Sequence, residues 1–317
     1  MNKDKYFFYK VYGLNIKSQI EINELIKLED NQLENIDVNI VLGEVDHKIK
    51  EKINNRIMQD YSRDNMWFSI DDIGIFNVTE GNCIRIELLD NYDLSMFKIY
   101  LLGIAFAMIK IQRDEVAMHG AAIDINNNGV LIIGKSGAGK STLTTALRKE
   151  GYKLLSDDMS SLEINENGII INPSFPMQRI GDDIIDYFNY QKDLYNKIRL
   201  NREKYLVPVI DEFQKQDIKL SCIFNLIEGN GDEVEVNEVK GAEKIKLIIN
   251  NIFRAMIFNR IEMTSTYLKK CVFIAKNIKV YNLIRPKNLI TTDDQIQCIK
   301  DILYFERSLS WLNLKTH

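Results

Sequence analysis

Apolar and polar residues alternate in short runs from the start of the chain to about Asn91. The runs are "DVNIVLGEV" from Asp37, "MWFSI" from Met66, "GIFNVTEG" from Gly74 and "CIRIELL" from Cys83. A period of two sends successive side chains to opposite faces, so each run predicts a half-buried strand, with Gly, Asn and Asp marking the turns. Between the first two lies "DHKIKEKINNRIMQDYSRD", whose charge predicts a solvated helix or loop. The next segment, "IYLLGIAFAMI" between Lys98 and Lys110, is apolar throughout. It predicts a buried helix of about 16 Å, short of the roughly 30 Å of a bilayer core. The pattern divides the chain into a small β-rich N-terminal domain, residues 1–94, and a larger domain, residues 95–317.

In "VAMHGAAIDINNNGVLIIG" two apolar strands flank Asn and Gly residues that tolerate positive φ, which predicts a hairpin. Leu143 and Leu147 then share one helical face in "KSTLTTALRKEG", with Gly151 as the stop. "YKLLS" predicts a strand parallel to "VLIIG". Farther on, helices are expected at "DDIIDYFNYQKDLYNKI" and "AEKIKLIINNIFRAMIF", around a strand at "LSCIFNLIE". Strand and helix alternate, so the fold class is α/β.

Composition narrows the function classes. The chain has 317 residues, 45% hydrophobic and 27% charged, enough to bury a sizeable core. A formal net charge of −4 supplies no global positive field, so a nucleic-acid partner is not expected. Cys83, Cys222, Cys271 and Cys298 stand apart without a Cys-x-x-Cys pair and read as reduced thiols. The start, "MNKDKYFFYKVYGL", lacks the pattern of a secretory signal. A cytoplasmic protein with no membrane partner is expected.

Chemistry concentrates in "NGVLIIGKSGAGKSTLTTALRKEGYKLLSDDMS". Gly134, Gly139, Lys140 and Ser141 fit G-x-x-x-x-G-K-[ST], placed between a strand and a helix as that pattern requires. Glycines let several N–H groups converge on a chain of phosphates, and the helix N-terminus adds about half a positive charge. Residues Gly134, Ser136, Gly137, Ala138, Gly139, Lys140, Ser141 and Thr142 are thus the candidate nucleotide cradle. Lys140 would reach the β- and γ-phosphates of ATP, and the Ser141 hydroxyl would ligate Mg²⁺. Asp157 and Asp158 follow a second strand, on the edge where ligands of parallel sheets bind. One carboxylate could hold Mg²⁺ and the other accept a proton from an attacking hydroxyl; alternatively the pair caps a turn or helix. His119, one strand upstream, could reach the same edge.

The stretch "MHGAAIDINNNGVLIIGKSGAGKSTLTTALRKEGYKLLSDD" resembles the core of the HPr kinase/phosphorylase family, in which a His-Gly strand precedes the phosphate loop and an Asp-Asp pair follows its helix. Elsewhere "YKVYGLNIKSQIEINEL", "INPSFPMQRI", "EKYLVPV" and "LSCIFNLIE" are similar to HPr-kinase-like proteins encoded beside ribosomally made peptides, lasso peptides included. The resemblance implies a P-loop kinase core, shared with phosphoenolpyruvate carboxykinases, that uses ATP and Mg²⁺ to phosphorylate a serine of a precursor peptide or small carrier protein. It implies Asp157 as catalytic acid/base, Asp158 as metal-associated carboxylate and His119 as assistant. Arg179 and Lys204 would supply cations to the phosphates or the acceptor. A homo-oligomeric ring is also permitted. Two positions depart from the pattern: Tyr205 stands where the subgroup commonly has arginine, and Thr142 where the bifunctional enzymes have glutamate. The later signature of phosphorolysis is missing, so the reverse reaction is not expected. A small-molecule kinase and a nucleotide hydrolase or switch are the competing readings.

Overall fold

The computed structural model describes residues 5–29, 35–199, 203–287 and 289–314. The first four residues of the segment read for a secretory signal lie outside these. Four of the expected strands form where the alternation placed them: β3 (Val38–Leu42), β5 (Asn65–Ile70), β6 (Gly74–Thr79) and β7 (Cys83–Leu88). The structure adds a hairpin not read from the pattern, β1 (Phe7–Val11) and β2 (Leu14–Ser18), and a short edge strand, β4 (Gln59–Tyr61). Together they make one seven-stranded sheet in the order β1-β2-β3-β7-β6-β5-β4. The charged stretch after β3 forms α1 (His47–Asn54), capped by the Asp46 carboxylate, which accepts from the Lys48 N–H.

The apolar segment is longer than expected. It runs as α2 (Leu94–Tyr100), a π turn at Leu101–Ala105 and α3 (Phe106–Gln112). By length and composition this 19-residue helix could cross a membrane, yet 56% of its most apolar window is buried inside the protein. Phe97, Leu101, Phe106 and Ile109 share one core with Phe68 and Phe76 of the seven-stranded sheet. The expected 16 Å helix thus underestimated the element.

The remaining strands are organised by β8 (Val116–Ile125). It forms the predicted hairpin with β9 (Asn128–Ile133), through a two-residue turn at Asn126 and Asn127 with φ of +53° and +63°. Positive φ at both positions is the turn that matches strand twist, and Asn tolerates it. The other edge of β8 is shared. Its second half pairs with β10 (Lys153–Ser156) and its first half with β11 (Met159–Asn165), both antiparallel. β10 therefore runs parallel to β9, as expected, but with β8 between them.

From β11 the sheet continues through β12 (Gly168–Asn172) to β16 (Ile218–Gly229), which returns to β9 in parallel. β8, β11, β12, β16 and β9 thus pair in a closed circuit. Its apolar filling includes Val116, Leu131, Leu162, Ile171 and Ile223. Parallel strand β18 (Lys279–Pro286) and antiparallel β17 (Glu235–Val239) extend the eight-stranded sheet. Between β9 and β10 lies α4 (Lys140–Lys149), closed at Gly151 with φ of +93°.

The helix expected at "DDIIDYFNYQKDLYNKI" is a correction. Only α5 (Asp182–Tyr187) forms, between strands of a three-stranded antiparallel sheet, β13 (Met177–Gly181), β15 (Glu203–Pro208) and β14 (Asn196–Arg199). The sheet claims the residues that follow: Ile198 and Tyr205 are buried in it. The second expected helix is shortened to α6 (Gly241–Asn250), because the next residues pair with β8: the Asn251 carbonyl accepts from the His119 N–H at 2.7 Å and the Phe253 N–H donates to the Ala117 carbonyl at 2.8 Å. Two helices complete the chain, α7 (Ser265–Asn277) and α8 (Thr292–Leu314).

The β1–β2 turn locks the seven-stranded sheet to this core. At Gly13, φ is +78° and a Cβ would lie 2.7 Å from the Asn172 side chain, so only glycine fits. The Tyr12 carbonyl accepts from the Lys110 ammonium at 2.7 Å and from the Ser161 hydroxyl at 3.2 Å. Lys110 is only 2% exposed and ion-pairs with Glu115. Replacing Lys110 with alanine leaves the Tyr12 carbonyl with Ser161 alone and Glu115 with Arg113 alone, and opens a cavity, so stability should drop by about 2 kcal/mol. Urea unfolding measures this, and a loss below about 1 kcal/mol would show the contact to be incidental.

Candidate active site

The carboxyl ends of β9, β10 and β18 face one cleft of about 740 Å³. The loop Gly134–Ser141 lies at the end of β9. Gly134 has φ of +138°, and a Cβ there would come within 2.5 Å of the Leu226 carbonyl oxygen. At Gly139 φ is +104° and no side chain caps the helix behind it. The first N–H groups of α4 are thus left for a ligand. The Lys140 ammonium bends over the loop and donates to the carbonyls of Gly134 at 2.6 Å and Lys135 at 3.1 Å. Burial pushes its pKa down, while Asp158 pulls it up.

Asp157 and Asp158 bridge β10 and β11. No helix begins after them, so the capping alternative is corrected: Met159 pairs with His119 as the first residue of a strand. The Asp157 carboxylate accepts from the Arg179 backbone N–H at 3.0 Å and lies 3.7 Å from its Nε. The terminal nitrogen of the same guanidinium pairs with Asp158. The proton affinities of the two neighbours are pushed in opposite directions. Burial pushes the Asp157 carboxyl up, and Arg179 only partly offsets it. Burial also opposes charge on Asp158, but there Arg179 and His119 outweigh it and hold the group at about 2.

His119 stands across from this bridge, its Nδ1 3.8 Å from Asp158. Its ring stacks on Phe253 at 5.8 Å between centroids. Burial pushes the imidazole pKa down, while Asp158 raises it and the charges of Lys140, Arg179 and Arg254 lower it further. Lys204 on β15 lines the same cleft, as do Ser136, Gly137, Ser141 and Thr142. Ala138 is buried, its carbonyl engaged by the Arg285 Nε at 2.7 Å. Tyr205, at the position of the missing arginine, donates to Asp182 at 3.1 Å and is buried. It therefore supplies no cation.

A buried polar network fixes the loop helix against β13. Gln178 donates to Thr144 at 2.8 Å, and its carbonyl oxygen accepts from Arg148 at 2.9 Å and Thr145 at 3.2 Å. Arg148 also pairs with Glu212. Sequence reasoning missed this network, and it missed Arg285 and Arg254. Arg285 follows an apolar strand parallel to β9 through β16, a signal that could have placed it at the same edge. Arg254 sits beyond a helix in a loop, where no pattern marks it.

Residues 111–178 match the family model described as the HPr Serine kinase C-terminal domain. This central segment is HPr-kinase-like. Similar curated proteins include the HPr kinase/phosphorylase of Peptoclostridium acidaminophilum, 30% identical over 31% of this chain and 33% of the relative. The putative HPr kinase/phosphorylase of Fusobacterium nucleatum is 32% identical over 31% of this chain and 16% of its own length. That of a Geobacillus strain is 40% identical over 17% of this chain and 18% of the relative. The chain thus spans at most about a third of the curated relatives it matches. A solved structure, the Hpr(Ser) kinase/phosphatase from Coxiella burnetii, aligns with a TM-score of 0.30 at 16% identity, over 63% of this chain and 97% of that one. The HPr-kinase-like segment contains the loop, His119 and both aspartates, and stops one residue before Arg179.

The depressed Asp158 pKa is a statement about stability. A folded value of about 2 against an ordinary 3.8 stabilises the fold above about pH 4, and the contribution disappears as pH falls through 2. Asp158→Asn should therefore destabilise the protein more at about pH 6 than at about pH 3. Urea midpoints for parent and variant at both pH values test this; an equal gap would mean that the Arg179 pair does not hold the charge.

Proposed function

We propose that the chain is a kinase that moves the γ-phosphoryl group of ATP to a hydroxyl, a serine of a precursor peptide or small carrier protein. The observation that carries the reading is the Asp157–Asp158 bridge, held by Arg179 in the same cleft as the glycine loop and Lys140. The similarity of residues 111–178 to HPr serine kinases supports it.

Loop amides and Lys140 bind the phosphates. Asp157, its proton affinity raised by burial, accepts the proton of the acceptor hydroxyl. The acceptor oxygen then bonds to the γ-phosphorus as the bond to the β-phosphate bridge breaks, and ADP leaves. Positioning and charge neutralisation contribute more than proton removal, which gives Arg179 and Lys204 their place beside the transferred group. His119 helps to orient the acceptor next to Asp158.

The residues fit a magnesium ion: Ser141 offers a hydroxyl at the helix N-terminus, and Asp158 remains an anion. Bound there, Mg²⁺ would neutralise charge on the β- and γ-phosphates. Asp158 and Ser141 would hold it, with Arg179 giving up part of its hold on Asp158. A cavity lined by Thr142, Leu143, Tyr187 and Gln295 adjoins the loop and suits the nucleoside end of ATP.

Asp157→Asn should leave ATP affinity within about twofold while transfer falls by about 10²- to 10⁴-fold. Titration with a fluorescent ATP analogue and transfer of labelled phosphate to lysate proteins and peptides test it. Equal loss of binding and transfer would contradict the assigned role. Steady phosphate release with no labelled acceptor would favour the hydrolase.

A further inference from the structure

A second cavity, of about 50 Å³, lies behind the aspartates and shares them with the phosphate-loop cleft as a common wall. Its other walls are mostly apolar, with Glu24, Lys98, Ser174 and Arg179 among them. Ile99 and Leu102 come from the long helix, Phe175 and Met177 from the approach to and start of β13, and Leu206 from β15. We propose that this cavity receives an aliphatic side chain adjacent to the acceptor hydroxyl. The chain would then select a polypeptide acceptor by that neighbouring residue; this rests on the kinase reading above.

Two features point to an occupant, a distorted turn with open space inside it and an unpaired carboxylate oxygen. The helix changes to a π turn at Leu101–Ala105 where it borders the cavity, a departure that weakens its regular hydrogen bonding and recurs at functional sites. At Gly103, inside that turn, an added Cβ would meet nothing within 4 Å, so the backbone presents open space where a core helix would place a side chain. Glu24 also lines the cavity. One of its oxygens accepts from Lys98 at 2.8 Å, whereas Oε2 is buried without a hydrogen-bond partner among the described residues. Leaving such an oxygen unpaired is costly, and an N–H of a bound peptide is a donor that would satisfy it.

The geometry matches the chemistry asked of it. A serine hydroxyl at Asp157 would sit on the shared wall, with the phosphates on one side and its neighbour's side chain entering the apolar space on the other. Ile99, Gly103, Phe175, Met177 and Leu206 are half-buried rather than buried, and they mark the side from which an extended chain enters. A lone small molecule with a hydroxyl would have no use for this second compartment.

The test uses synthetic serine peptides carrying Gly, Ala, Val, Leu or Phe immediately before or after the serine. Transfer from labelled ATP is measured as kcat/KM for the parent, Gly103→Ala and Leu206→Ala, with ATP affinity measured for each. The parent should prefer Val or Leu over Gly by about tenfold or more. Gly103→Ala should shift the optimum to smaller residues and Leu206→Ala to larger ones, with ATP affinity the same in all three. Transfer with one ranking in all three proteins, or with none, overturns the pocket and leaves the kinase standing. ATP binding with no transfer to any peptide overturns both.

Discussion

Two adjacent carboxylates cannot be withdrawn from water without a cation between them, and Arg179 is that cation. At about 4 Å, opposite charges near a protein surface attract by roughly 4 kcal/mol, enough to shift the proton affinity of each carboxyl. The guanidinium favours Asp158, and the two acids diverge: one stays ionised, the other is raised by burial. Arg179 is in turn placed by its neighbour Gln178, which is bound to Thr144, Thr145 and Arg148 of the loop helix. The acid pair and the glycine loop thus share one rigid support, although they lie on different strands.

Much of this was readable from residue pattern alone. The β8–β9 hairpin, the strand–loop–helix passage from Val130 to Lys149 and the direction of β10 relative to β9 were legible, because turn chemistry and periodicity are properties of adjacent residues; that β8 lies between β10 and β9 was not. What could not be read depends on distant partners. β1 and β2 are short, and their meaning lies in the Tyr12–Gly13 turn against Asn172. The segment after Tyr187 carries helical spacing, but strand pairing around Tyr205 and Ile198 overrides it. Arg285 lines the cleft and Arg254 acts on His119 through its charge, both from elements far along the chain. Lys140, Ser141 and the two aspartates line one cleft; of the cations around them, Arg179 and Lys204 were named from the sequence, and Arg254 and Arg285 were not.

The family match has a corresponding shape. It covers the loop, the histidine strand and the acids and then ends, leaving Arg179, Lys204, Arg254 and Arg285 outside it. The matched part carries the glycine loop and the acid pair. The unmatched part, with the seven-stranded sheet and its long helix, closes over the other side of the aspartates and, with Phe175 and Met177 of the matched part, lines the apolar compartment.

The way β10 and β11 share one edge of β8 has a consequence for how such a chain can diverge. Ser156 is opposite Ala122 and Met159 is opposite His119, so the acidic bridge has as many steps as the strand beneath it. One inserted residue would either bulge out or rotate β11 by a position, turning Leu162 from the core toward solvent and Glu163 inward. Descendants can exchange the side chains on this bridge, but its length is held by the pleat of the strand it spans.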